Sequence, residues 1–167
     1  MFSLIFIILL GEVLFLGFVA DQSIPIQTHA ETIKKPFNFS ISVNKTRYAL
    51  GEPIAFTVRL NNIGEKNVTF TRTAISDPFH MWFVIDENGQ SVFYHASVSQ
   101  LPVVTHFILK PSVFIEKKYY WNQKNTDGHP VSYGSYYIVV NDGFILEQEA
   151  FTIQTRIEIL IPKPKTN

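Results

Sequence analysis

An all-β fold, an antiparallel sandwich of about nine strands, follows from three observations in the sequence. Residues 37–43 and 54–60 alternate strictly: Phe37, Phe39, Ile41 and Val43 against Asn38, Ser40 and Ser42, then Ile54, Phe56, Val58 and Leu60 against their neighbours. A strand with one buried face requires that period of two. The composition, with 15 Phe, 7 Tyr, 2 Trp and many Ile, Val and Thr, suits pleated, half-buried surfaces. Beyond residue 20, turn residues punctuate the chain at intervals of about 8–15 residues, with no helical periodicity.

The chain has 167 residues, enough for one domain with one core. Residues 2–20, FSLIFIILLGEVLFLGFVA, are apolar except for Glu12 and form an expected helix, either a signal peptide or an uncleaved membrane anchor. Thr28-His29-Ala30 and Ala20 offer small residues to a signal peptidase. Residues 21–36, polar and containing Pro25 and Pro36, read as a linker; residues 37–161 form the domain and 162–167 a tail. Three sequons, Asn38-Phe39-Ser40, Asn44-Lys45-Thr46 and Asn67-Val68-Thr69, suit an exported chain. The expected location is therefore extracytoplasmic, secreted or held at the membrane through residues 2–20.

Within the domain, strands are expected over 37–43, 53–62, 67–72, 106–110, 112–121, 135–141 and 147–154, the last running on towards 156–161. The segment 79–96 is the clearest local signal. Asn88-Gly89 favours a two-residue type I′ turn, which sets Phe83 opposite Tyr94 and Ile85 opposite Val92. On that reading Phe79, Met81, Phe83, Ile85, Val92 and Tyr94 face the core. His80, Trp82, Val84, Phe93 and His95 face outward, an aromatic surface.

Segment 119–140, YYWNQKNTDGHPVSYGSYYIVV, pairs two β-prone runs around Asp127-Gly128 and Pro130. Gly134-Ser135-Tyr136 has the form of a tyrosine corner, in which a hydroxyl bonds backbone a few residues upstream and pins a connection between sheets. That feature makes the sandwich immunoglobulin-like.

FTVRLNNIGEKNVTF (56–70), MWFVIDENGQSVFYH (81–95), LKPSVFIEKKYYWNQ (109–123) and Gly134 to Tyr136 form an ordered set that is similar to the bacterial intracellular proteinase inhibitor family, BsuPI. The first resembles its strand, N-x-G, strand opening, and the second its v-x-D-x-x-G strand pair. The third resembles its L-x-P-G strand, and the last its closing G-x-Y. The resemblance covers about residues 38–155. Ser112 departs from it, standing where the family has Gly. The resemblance implies an immunoglobulin-like fold and a protease as partner.

The residues exclude several chemistries. Lys+Arg and Asp+Glu are balanced at 14 each, which argues against nucleic acid as a partner. There is no cysteine, so no disulfide, thiol nucleophile or Cys-ligated zinc. No G-x-S-x-G elbow, H-E-x-x-H pattern or phosphate loop occurs. His80 and His95 fall diagonally on one hairpin face, but no third metal ligand is identifiable. The expectation is a protein without catalysis, metal or cofactor that binds another protein.

Two surfaces compete for that role. Gln100, Leu101, Pro102 and Val103 lie in the uncharged stretch SVSQLPVVTH (97–106), which suits an extended inhibitory loop. His80, Trp82, Phe93 and His95 form the aromatic face of a membrane-tethered interaction module.

Overall fold

The computed structural model describes residues 28–72, 79, 81–96 and 104–164. Alternation dictates the first sheet. β2 (Phe37–Val43) and β3 (Ile54–Asn62) bury every second side chain without interruption. They pair antiparallel between β1 (His29–Lys34) and β8 (Phe114–Trp121), giving the order β1-β2-β3-β8.

The second sheet is organised by β9 (Gly134–Leu146), whose whole length pairs with β10 (Glu149–Ile161). Since β10 occupies one edge of β9, the other edge is shared. β5 (Met81–Asp86) takes residues 136–141 of β9, and β4 (Val68–Arg72) takes Ile145 and Leu146. β6 (Ser91–Ala96) and β7 (Thr105–Leu109) flank β5 and β4. Asp142, fully buried, sits where β9 changes neighbour from β5 to β4. The fold is all-β, two sheets enclosing one apolar core.

The core is aromatic. Phe37 meets Phe70, Phe144 and Phe151 at ring separations of 6.1, 5.2 and 5.6 Å, and Phe56 stacks on Tyr119 at 5.5 Å. Edge-to-face and offset contacts of this kind add to the burial of the rings themselves. Two buried amides close the two ends. The Asn62 side chain donates to the carbonyls of Lys66 and Leu109, both at 2.8 Å, and accepts from Gly64 N at 2.9 Å. That bond explains Asn62-Ile63-Gly64, because a Cβ on Gly64 would stand 3.1 Å from Pro36 Cβ and 3.2 Å from Asn62 Oδ1. The Gln123 side chain donates to the carbonyls of Ala49 and Glu52 and accepts from Gly51 N at 2.7 Å. Burial is tolerable for both amides because these polar atoms are bonded.

One boundary of the sequence reading is corrected. Residues 29–34, assigned to a linker, form β1, which pairs with β2 from His29↔Ser42 to Lys34↔Phe37. Its side chains also bridge the sheets: Thr32 Oγ1 donates to Gln154 O at 2.7 Å and Lys34 Nζ to Thr152 O at 3.0 Å. The expected helix over residues 2–20 lies outside the described residues.

Candidate functional site

The stretch 119–140 is a structural corner. The Tyr136 hydroxyl donates to Ser132 O at 2.8 Å, and its ring packs edge-on against Trp121 at 5.6 Å. Trp121 Nε1 in turn donates to Lys124 O at 2.8 Å. Burial, ahead of the nearby Asp86 charge, raises the Tyr136 hydroxyl pKa above its ordinary value. The tyrosine corner expected from Gly134-Ser135-Tyr136 is therefore formed.

The β5–β6 hairpin keeps one expected pair and changes its turn. Phe83 does face Tyr94. Of Asn88 and Gly89, only Gly89 has positive φ, at 79°, so the turn is not type I′. Gly89 N bonds Asp86 O and Asp86 N bonds Gln90 O, both at 3.0 Å, making a three-residue loop. Asp86 Oδ1 accepts from the N–H groups of Asn88 and Gln90 at 2.9 and 2.8 Å. A bulge at Val84/Ile85 absorbs the extra loop residue, and Ile85 lies opposite Ser91 instead of Val92. Asp at the first position and Gly at the fourth is the type I turn signature that the sequence carried.

The larger correction concerns which face points inward. Trp82 is only 2% exposed. It packs edge-on against Phe56 at 4.9 Å and stacks with His95 at 5.1 Å, while Phe93 lies 5.1 Å away. Phe93 and His95 are half-buried beside it. The expected outward aromatic face of Trp82, Phe93 and His95 is thus the inner face, covered from the opposite sheet by Phe56 and Tyr119. The physical reason is visible in Met81-Trp82-Phe83-Val84-Ile85: both parities are apolar, so periodicity alone does not choose. His80, Gln100, Leu101, Pro102 and Val103 lie outside the described residues. The end of the expected loop is described, and Thr105–Leu109 pairs with β4 as a strand.

The outward face of the six-stranded sheet carries what sequence reasoning missed. Cross-strand register aligns Tyr94, Phe83, Val139 and Arg156 in one row across four strands. The next row is Ile85, Tyr137 and Glu158. Tyr94 is 48% exposed, and Met81, Phe83, Ile85 and Tyr137 are half-buried. Val139 is buried yet stands outside the inter-sheet core cluster, held between its neighbours on the outer side. The Arg156 guanidinium lies 5.1 Å above the Tyr137 ring. Such a face offers aromatic anchors with a charged margin, the composition of a protein contact. Among the described residues, no group of three His, Asp or Glu side chains is placed to hold a metal ion.

No family model matches the chain, and no curated protein is similar to it. Among solved structures, the yjhA protein from Bacillus subtilis is similar at 16% identity and a TM-score of 0.34, over 66% of this chain and 76% of that one. The ASH/PapD-like domain of human CEP192 is similar at 14% identity and a TM-score of 0.34, over 80% and 92%. A Listeria innocua beta-glucosidase matches 79% of this chain at 11% identity and a TM-score of 0.37, but only 17% of the enzyme is covered.

Proposed function

We propose that this chain is a non-catalytic, extracytoplasmic binding module with an immunoglobulin-like sandwich, and that it meets its protein partner through the outward face of the six-stranded sheet. The observation that carries the reading is the row Tyr94–Phe83–Val139, apolar and aromatic across three strands on the outer side of the sheet, where alternation ordinarily places polar residues, with Arg156 at its margin. The tyrosine corner at Tyr136 supports the immunoglobulin-like assignment.

The apolar run 2–20 and two exposed sequon asparagines, Asn44 and Asn67, support export. Asn38 contributes less, since its amide nitrogen already donates to Glu31 at 2.9 Å in the middle of the sheet. Of the two cleavage positions, Ala20 fits the fold better. A cut after Ala30 would sever β1.

A BsuPI-like relationship is supported by Ser112. It occupies the position where the resemblance expects Gly and adopts φ 61°, the left-handed region that Gly favours. Inhibition of a protease through Gln100–Val103 remains the rival outcome.

The test is capture by the immobilised full chain from membrane and secreted fractions of the source organism. The expected result is a partner lost on Tyr94→Glu and retained on Tyr120→Glu, a 62% exposed ring on the other sheet. Recovery of a protease that the chain inhibits, with the effect abolished by Leu101→Asp and untouched by Tyr94→Glu, would overturn the reading in favour of the inhibitor.

A further inference from the structure

We infer that the outward face of the six-stranded sheet is self-complementary and takes a second copy of this chain; the inference rests on that face being the contact surface. Its two central rows are Tyr94–Phe83–Val139–Arg156 and Ile85–Tyr137–Glu158, two residues apart along β5, β9 and β10. A two-fold axis crossing the strands between these rows lays each strand antiparallel over its own copy. The first row of one molecule then packs on the second row of the other.

Phe83 meets Ile85 of the copy, and the Tyr137 ring lies over the position of Val139, which is itself buried and adds no contact area. Arg156 and Glu158 meet in two equivalent pairs. The two charges sit on β10 at the margin of the face, on exposed and half-buried side chains. They are of opposite sign and symmetric about that axis, so no like charges oppose each other in these rows. Aligned packing of two sheet faces about 10 Å apart suits side chains of these sizes.

The area sets the strength. Four strands at about 4.8 Å and about eight residues at about 3.4 Å give a contact near 19 by 27 Å, roughly 500 Å² per copy. The total of about 1,000 Å² lies at the lower end of specific interfaces. An interface of that size suits a weak, reversible dimer, to be sought on the order of 10–100 μM.

Sedimentation velocity of the full chain in a mild non-ionic detergent, from about 1 to about 200 μM, spans that range. The expected result is a concentration-dependent dimer. Arg156→Glu alone and Glu158→Arg alone each place like charges together and weaken it about tenfold or more. Combining Arg156→Glu with Glu158→Arg restores it, which a merely structural role for either residue would not do.

A wild-type chain that stays monomeric throughout, single variants that dimerise normally, or a double variant that fails to recover would each overturn the proposal. Monomeric wild type together with partner capture that depends on Tyr94 would remove the second copy while leaving the binding module in place.

Discussion

The two outward faces of this sandwich differ more than its two sheets do. On the four-stranded sheet the central strands turn Ser40, Ser42, Thr57 and Arg59 outward, with Glu116 and Lys118 beside them and Ile33, Phe114 and Tyr120 exposed on the two edge strands; Arg59 Nε bonds Glu116 at 2.7 Å. On the six-stranded sheet the corresponding positions hold Met81, Phe83, Ile85, Tyr94, Tyr137 and Val139. A polar outer face is what a half-buried antiparallel sheet needs for solubility. The six-stranded sheet instead carries its outward apolar side chains on its central strands β5 and β9, the feature that the proposed contact uses.

The largest effect that would break this comparison is at Trp82. If it belonged to a surface, truncation would cost little. Placed against Phe56 and His95, Trp82→Ala is expected to lower stability by about 3–5 kcal/mol, read as a shift in the urea midpoint. A loss under about 1 kcal/mol would return Trp82 to the outer face.

Tyr136 and Tyr137 sharpen the contrast, being adjacent and on opposite faces of β9. Tyr136→Phe removes the donor to Ser132 O and should cost about 1 kcal/mol. Tyr137→Phe should be near neutral. The folded protein holds the Tyr136 proton more tightly than the unfolded chain, because burial raises its pKa. That contribution is complete below the ordinary tyrosine value and lost as pH climbs through the raised one. Denaturation midpoints should therefore fall in alkali, and Tyr136→Phe should flatten the fall. Tyr48, also raised mainly by burial, keeps some of it.

The smallest effect belongs to the polar face. Arg59→Ala breaks an ion pair whose partners are 46% and 38% exposed. Solvent screens such a pair, so thermal unfolding should register less than about 1 kcal/mol.

The comparison also separates what was legible in the sequence from what was not. β2 could be read residue by residue, because Phe37, Phe39, Ile41 and Val43 alternate with hydroxyls and an amide. β5 could be located but not oriented, because apolar residues occupy both its faces and the choice depends on Phe56 and Tyr119, which come from distant strands. β1 was missed altogether. His29-Ala30-Glu31-Thr32 carries little apolar signal, and its pairing is supplied by β2. β9 looked shorter than it is, because Asp142-Gly143 resembles a break until β4 and β5 are seen to divide its edge. The buried amides of Asn62 and Gln123 had no sequence signature beyond N-x-G, since their value lies in carbonyls that only the fold brings near. The inward-facing error then carried Trp82, Phe93 and His95 into the candidate site and left out Phe83, Tyr94 and Val139.

The dependence of the six-stranded sheet on β9 has a consequence during synthesis. β4, β5 and β10 all take β9 as a partner, and β9 leaves the ribosome after β4 to β8 have been made. Until then β5 and β6 have only each other, and an isolated two-stranded hairpin is marginal in water. The Met81–Ile85 segment, apolar on both sides, therefore waits through the interval with one backbone edge unpaired, a hazard for association between nascent chains. Emergence of residues 134–146 ends that interval, supplying at once the edge that β5 and β4 share.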